Sequence, residues 1–252
     1  MARLIRPVIL IPLVLVLVLI GVGAWWWANA GSSTPVSQAQ AATDYGSSSA
    51  PAVPGAPRSG VWTYRASGDE TVGLGPVSID RDIPAEVQVV VRPAPKGFWR
   101  TLALSEEHVE ASRVRVAPEG EYVEERITTL KVTGLGRDDR QKLVPPLLAY
   151  PSDMEVGDSW TERYSMDKVR VLVRARVLSR TTLDVAGTAV PVLLVDKRGK
   201  VSGPVAGVRD DRVWWSPELK MPVRWVLRTD LDGVAALRMD ADLTLTSPPP
   251  TQ

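Results

Sequence analysis

The chain has 252 residues, a formal net charge of +1, one histidine and no cysteine. The lack of cysteine excludes disulfides, thiolate metal sites, cysteine nucleophiles and a lipid anchor on cysteine, and a single histidine excludes a multi-histidine metal site. Acidic and basic residues are nearly balanced, so the chain lacks the excess of positive charge that a nucleic-acid or anionic-membrane partner would require.

The first element in chain order is an uncharged apolar run, residues 7–27. Its length matches the ~20 residues that a helix needs to cross the hydrocarbon core of a bilayer. The run ends on three tryptophans, which suits the membrane interface, and arginines precede it but do not closely follow it. The sequence therefore predicts a transmembrane signal-anchor helix in contact with the lipid bilayer, residues 1–6 in the cytoplasm, and the rest of a single-pass bacterial protein outside it.

A cleaved signal peptide is the alternative interpretation of the same segment. Ala28, Asn29 and Ala30 fit the small-x-small pattern of a cleavage site. Cleavage after Ala30 would give a secreted protein instead of an anchored one. Both interpretations export the bulk of the chain to the cell envelope or beyond.

Residues 28–59 consist mostly of alanine, serine, proline and glycine. They show no apolar period, so the sequence predicts a disordered linker that serves as a spacer. Residues 248–252 are predicted to be a disordered tail.

Residues 60–247 alternate apolar and polar side chains, a pattern typical of strands with one buried face. In "KVRVLVRARVLSR" the apolar row is Val169, Val171, Val173, Ala175 and Val177. A second row predicted to face inward comprises Leu237, Met239, Ala241, Leu243 and Leu245. The segment 121–132 is more polar and is predicted to be an edge strand.

Short turn signals such as Ala186–Gly187 and Asp232–Gly233 separate these runs. Short turns favour antiparallel hairpins over parallel strands with helical crossovers. No convincing helical stripe follows the apolar segment, because prolines interrupt the nearest candidate, residues 140–154. The predicted fold class is mainly β: an antiparallel meander over 60–247 that forms a curved sheet or half-barrel.

The stretch "DRVWWSPELKMPVRW", residues 211–225, could be a loop around a nucleophilic Ser216 or two strands joined by a corner. Alternation places Val213 and Trp215 on one face, and Pro217 ends the strand because it cannot donate a hydrogen bond. The glycines of a nucleophile elbow are missing. The sequence therefore predicts strand, corner, strand.

The run 184–230 resembles the C-terminal half of a group of exported bacterial β-sheet proteins of unknown function. The matching residues form a hairpin glycine, a tryptophan-serine-proline corner and a proline-valine-arginine strand, and the resemblance extends over about 150–247. It implies a half-barrel similar to lipoprotein-carrier folds, located in the cell envelope, and it supplies no catalytic residues. The residues that carry it are Gly187, Trp215, Ser216, Pro217, Pro222, Val223 and Arg224.

Candidates for chemistry are few. His108 lies among glutamates and is expected on a solvated strand or turn, with a general base or half of a metal site as the functional alternative. The pairs Asp138–Asp139 and Asp210–Asp211 have the composition of a carboxylate hydrolase but are expected in solvated turns. "DLDG", residues 230–233, lacks the ligands of a calcium loop and fits a hairpin. We expect no enzyme activity, no cofactor and no metal.

The tryptophans of the β region either fill the core or line an apolar pocket. The candidate pocket residues are Trp62, Trp160, Trp215 and Trp225. The predicted function is a non-enzymatic extracytoplasmic domain that binds an apolar ligand or a protein partner in the envelope. A scaffolding ectodomain without a ligand is the alternative, and a carboxylate-dependent hydrolase is a third.

Overall fold

The structure, a computed structural model, describes residues 33–248 apart from 75–76, 133–134 and 234. These residues contain one short helix and thirteen strands. Their bounds are α1 Gln38–Tyr45, β1 Gly60–Leu74, β2 Val77–Asp82, β3 Glu86–Ala94, β4 Gly97–Ala103, β5 His108–Ala117, β6 Gly120–Val132, β7 Leu135–Pro151, β8 Ser159–Met166, β9 Val169–Val185, β10 Thr188–Ser202, β11 Val205–Ser216, β12 Met221–Gly233 and β13 Ala235–Ser247.

The strands form a single antiparallel sheet that closes on itself. From β3 to β13 each strand pairs with the next along the chain, and β13 returns to pair with β1 from Thr63 to Leu74. Strands β2 and β3 lie end to end beside β1, so the thirteen strands occupy twelve positions around a barrel. The mainly antiparallel prediction is confirmed. The open half-barrel is corrected, because the β1–β13 ladder leaves neither terminal strand as a free edge.

The predicted alternation decides which side chains enter the barrel. On β9, Val171, Ala175 and Val177 are buried, and Val169 and Val173 pack partly buried against the same core. The whole predicted row of β13 is buried as well. The predicted edge strand is β6, which instead pairs with β5 on one side and β7 on the other.

The turns follow from local chemistry. Ala186 and Gly187 both have positive φ, 50° and 82°, as a tight β9–β10 hairpin requires. At the tryptophan-serine-proline corner, β11 ends at Ser216 and β12 begins at Met221. The Ser216 hydroxyl accepts a hydrogen bond from the amide of Leu219 at 3.2 Å. Ser216 therefore stabilises the corner, as the strand-corner-strand prediction requires.

The predicted disordered linker needs correction over its described part. Helix α1 lies on the outside of the barrel, where Val36 and Ala41 pack with Val61, Val90 and Val109. The helix forms because Ser37 caps its first turn, and the small alanine face fits closely against flat strands. Neither the serine cap nor the alanine face produces a long apolar stripe, so the sequence pattern did not predict this helix.

Residues 46–59, here called the strap, continue from α1 across one end of the barrel. Ser48 donates a hydrogen bond to the Pro93 carbonyl at 2.7 Å, and Ala56 packs against the core. The indole of Trp62 donates to the carbonyl of Arg58 at 3.0 Å. The strap is therefore attached to the barrel at several points.

The predicted transmembrane helix, residues 7–27, and residues 1–6 lie outside the described residues, as does most of the 248–252 tail. Among the described residues, no helix is both long enough and apolar enough to span a bilayer.

Candidate functional site

A cavity of about 450 Å³ opens at the end of the barrel that the strap crosses. The β5–β6 turn, the end of β7, the β11–β12 corner and the strap meet there. We call it the end cavity. Its lining residues are Pro54, Gly55, Val116, Ala117, Pro118, Gly120, Glu121, Tyr150, Pro151, Ser152, Trp215 and Lys220.

Two stacked aromatic rings form part of the cavity wall. The rings of Tyr150 and Trp215 are nearly parallel, with centroids 3.8 Å apart. Behind them, the ammonium of Lys197 lies 3.5 Å from the centre of the Tyr150 ring and donates to the Ala149 carbonyl at 2.8 Å. Burial lowers the pKa of Lys197 to about 7. The Tyr150 ring therefore lies between the Trp215 indole and the Lys197 amine.

Glu121 is a buried acidic residue of the cavity wall. It follows Gly120, whose φ of 146° and close approach to the Tyr150 carbonyl leave no room for a side chain. Glu121 is 4% exposed, yet neither carboxylate oxygen has a hydrogen-bond partner among the described residues. Burial raises the pKa of Glu121 to about 7, although Arg100, Lys220 and Lys197 oppose the shift.

The nearest cation to this carboxylate is Arg100 on β4. Its Nη1 lies 3.9 Å from Oε2 of Glu121, which is an ion-pair distance but too long for a hydrogen bond. The same Nη1 atom is buried without a hydrogen-bond partner. The Glu121 carboxylate thus belongs to the cavity lining, and the Arg100 guanidinium lies behind it at ion-pair distance.

The four tryptophans predicted to line a pocket do not converge on the end cavity. Trp215 lines it. Trp62 is a buried core residue, and the partly buried Trp160 donates to the Leu148 carbonyl at 3.1 Å. Trp225 packs against the core between Val213 and Leu243.

His108 belongs to a separate buried network inside the barrel. Its Nδ1 lies 2.5 Å from Glu70, and its Nε2 lies 3.6 Å from Glu110. Arg209 binds both oxygens of Glu110 at 3.1–3.2 Å, and Arg81 lies 3.2 Å from Glu70. Burial alone would lower the pKa of His108, but the hydrogen bonds and charges of both glutamates outweigh burial and raise it to about 9.

The same network sets the ionisation of Glu110. Burial would raise the pKa of this carboxyl, but the Arg209 guanidinium and His108 hold it far below its usual range. His108 is completely buried and Glu70 is 1% exposed. The histidine predicted to lie on a solvated strand or turn is instead part of a structural ion cluster.

The remaining chemical candidates lie in strands. Asp138 and Asp139 are in β7 and Asp210 and Asp211 in β11, so neither pair occupies the expected turn. Asp230 pairs with Arg238 across β12 and β13 at 3.2 Å. Within the described ranges, no group of three or more His, Cys, Asp or Glu side chains could hold a metal ion.

Sequence reasoning missed Glu121 and Arg100. An acid directly after a Pro-Glu-Gly turn resembles any solvated turn residue, and an arginine between Trp99 and Thr101 gives no local sign that it faces inward. The one available signal was Gly120, because a glycine beside a turn can mark a close backbone approach.

Comparison with known proteins gives limited information. No protein-family model matches the chain, and no curated protein matches it. A crystal structure of the hypothetical lipoprotein YmcC from Escherichia coli K12 aligns with 73% of this chain and 86% of its own. The sequence identity is 11% and the TM-score is 0.36, a similarity from which no conclusion about this chain follows.

Proposed function

We propose that this chain is a membrane-anchored extracytoplasmic domain that binds an apolar ligand in the end cavity without transforming it. The apolar segment 7–27 supports the anchor and the export, and cleavage after Ala30 would leave the same domain secreted. The observation that carries the ligand assignment is the end cavity itself, because its size falls within the ~300–1,000 Å³ typical of small-molecule sites.

The composition of the wall supports an apolar ligand. Val116, Pro118 and Pro151 line the cavity together with the Tyr150–Trp215 stack. Aromatic and aliphatic surfaces of this kind bind a hydrocarbon or ring system by excluding water from both surfaces.

A scaffolding ectodomain remains the second candidate, and the filled barrel interior favours it. Large side chains such as Trp62, Phe98 and Leu243 are at most 1% exposed, and the His108–Glu70 pair is buried as well. This packing would stabilise a scaffold without any ligand. A hydrolase would need two carboxyls in an accessible cleft, whereas Glu70, the carboxylate nearest His108, is buried.

A substitution that fills the end cavity distinguishes a ligand-binding domain from a scaffold. Native mass spectrometry of the full chain, released from detergent, should show a one-to-one adduct with an apolar molecule. Val116→Trp places an indole in the cavity and should lower adduct occupancy by roughly tenfold or more, equivalent to about 1.4 kcal/mol.

Val208→Trp is the matched control, because Val208 is 47% exposed on β11 and does not line the cavity. It should leave adduct occupancy unchanged, and circular dichroism should show that both variants fold. A wild-type protein without any adduct, or equal adducts in both variants, would support the scaffold and contradict the proposal.

A further inference from the structure

We propose that the ligand carries a hydroxyl group, which Glu121 and Arg100 recognise together in the end cavity. This inference rests on the proposed function and specifies its chemistry. The ligand class is a neutral apolar alcohol, such as a long-chain alcohol or a partial glyceride.

The first support is the state of the two protein groups. Glu121 lines the cavity while remaining 4% exposed, and both of its oxygens are without hydrogen-bond partners among the described residues. The Nη1 atom of Arg100 is buried without a partner too. Buried polar groups in folded proteins are nearly always hydrogen-bonded, so a carboxylate left in this state in a cavity wall is suited to bind a polar group of a ligand.

The second support is the distance between the two groups. A gap of 3.9 Å between Arg100 Nη1 and Glu121 Oε2 is too long for a direct hydrogen bond. One oxygen atom placed about 2.8 Å from each would bridge them with ordinary hydrogen-bond lengths. At a pH above 7, where Glu121 is ionised, that oxygen must accept from the guanidinium and donate to the carboxylate.

Hydroxyl is the simple group that does both. An ammonium group only donates, so it would leave Arg100 without an acceptor. It would also add positive charge beside Arg100 and Lys220, which already surround Glu121. A carboxylate ligand could accept from Arg100 but would face the Glu121 carboxylate, and an ether or ester oxygen cannot donate at all.

The side chains of the cavity wall indicate the chemistry of the rest of the ligand. Apart from Glu121, Ser152 and Lys220, its lining side chains are apolar or aromatic. A hydrocarbon body attached to a hydroxyl would place each part against surface of the matching polarity.

The test is a competition assay on the full chain in bilayer nanodiscs. A monoacylglycerol with a diazirine in its acyl chain labels the protein on irradiation, and four competitors with eight-carbon chains are compared: octanol, octyl methyl ether, octylamine and octanoate. Each competitor partitions into the bilayer to the same extent whichever variant is present. Comparing its competing concentration between variants therefore reports only on the protein site.

Wild-type protein should prefer octanol over octyl methyl ether by roughly tenfold or more, because a hydrogen bond to a charged group is at stake. In Glu121→Leu the preference for octanol over the ether should fall to the ratio set by the partition of the two compounds into the bilayer. Glu124→Leu is the matched control on the same strand: Glu124 pairs with Arg115 at 2.9 Å and does not line the cavity, so this variant should keep the wild-type preference.

The outcomes distinguish the two proposals. If octanol and its ether compete equally but Val116→Trp abolishes labelling, the cavity binds apolar ligands and the hydroxyl inference is wrong. Tightest binding of octylamine or octanoate would likewise overturn it. If the probe labels wild type and Val116→Trp equally, the proposed function itself fails.

Discussion

Arg209→Met is expected to lower the free energy of unfolding by about 3 kcal/mol, the lower end of the cost of removing one partner from a buried ion pair, because both side chains are partly exposed. Arg209 forms three hydrogen bonds to Glu110, which is only 19% exposed at its side chain. Without the guanidinium, Glu110 keeps an incompletely paired negative charge inside the barrel. Urea denaturation of wild type and variant at neutral pH measures the difference.

Two controls identify the lost charge pair as the cause. Arg212→Met removes an arginine that is 61% exposed and pairs with Asp196 at 3.5 Å, so it should cost no more than about 1 kcal/mol. Adding Glu110→Gln to Arg209→Met should recover part of the loss, because the unpaired charge is then gone. Equal losses for the Arg209 and Arg212 variants would contradict a buried network.

The second large effect is the titration of His108. Its imidazole should remain protonated through neutral pH and titrate near 9, because hydrogen bonds and charges of Glu110 and Glu70 outweigh the effect of burial on its pKa. The chain has one histidine, so a single set of imidazole resonances in nuclear magnetic resonance reports the pKa without ambiguity.

This raised pKa also predicts how stability varies with pH. The folded protein holds the proton more tightly than the unfolded chain, whose histidine has a pKa of ~6.5, so the stabilisation is complete below pH ~6.5 and is lost as pH rises through ~9. The difference in unfolding free energy between wild type and His108→Gln should therefore shrink by roughly 3 kcal/mol across that window. The ion cluster would be contradicted if His108 titrated near pH 6.5 and the difference in unfolding free energy between wild type and His108→Gln stayed constant with pH.

Much of the β architecture follows from local sequence. Alternation identified the inward rows of β9 and β13, because side chains along a strand point to opposite faces. Gly187 and the Ser216–Pro217 corner were readable because turns depend on the conformational limits of a few residues. These features require only neighbouring residues.

Features that depend on distant parts of the chain were not readable. Closure requires β1 to pair with β13, for example Arg65 with Thr244, and alternation carries no register between such distant segments. Helix α1 gains its stability from packing on the barrel rather than from its own sequence.

The polar sites were hidden for a related reason. Arg209 and Glu110 contact each other across the barrel although 99 positions separate them in the chain. In a strand, a charged residue on the inward face has the same local signature as a solvated one until its partner is known. The Glu121–Arg100 pair of the end cavity was missed in the same way.

The most direct test of ligand binding in the end cavity is to map where the diazirine-bearing monoacylglycerol attaches to the full chain in membranes. Peptide sequencing of the labelled protein should place the adduct on the cavity lining, at 54–55, 116–118, 120–121, 150–152, 215 or 220. Val116→Trp should remove that adduct and leave bilayer-derived labelling of residues 7–27 unchanged. Labelling confined to 7–27, or spread over the outer barrel surface, would contradict the proposed site.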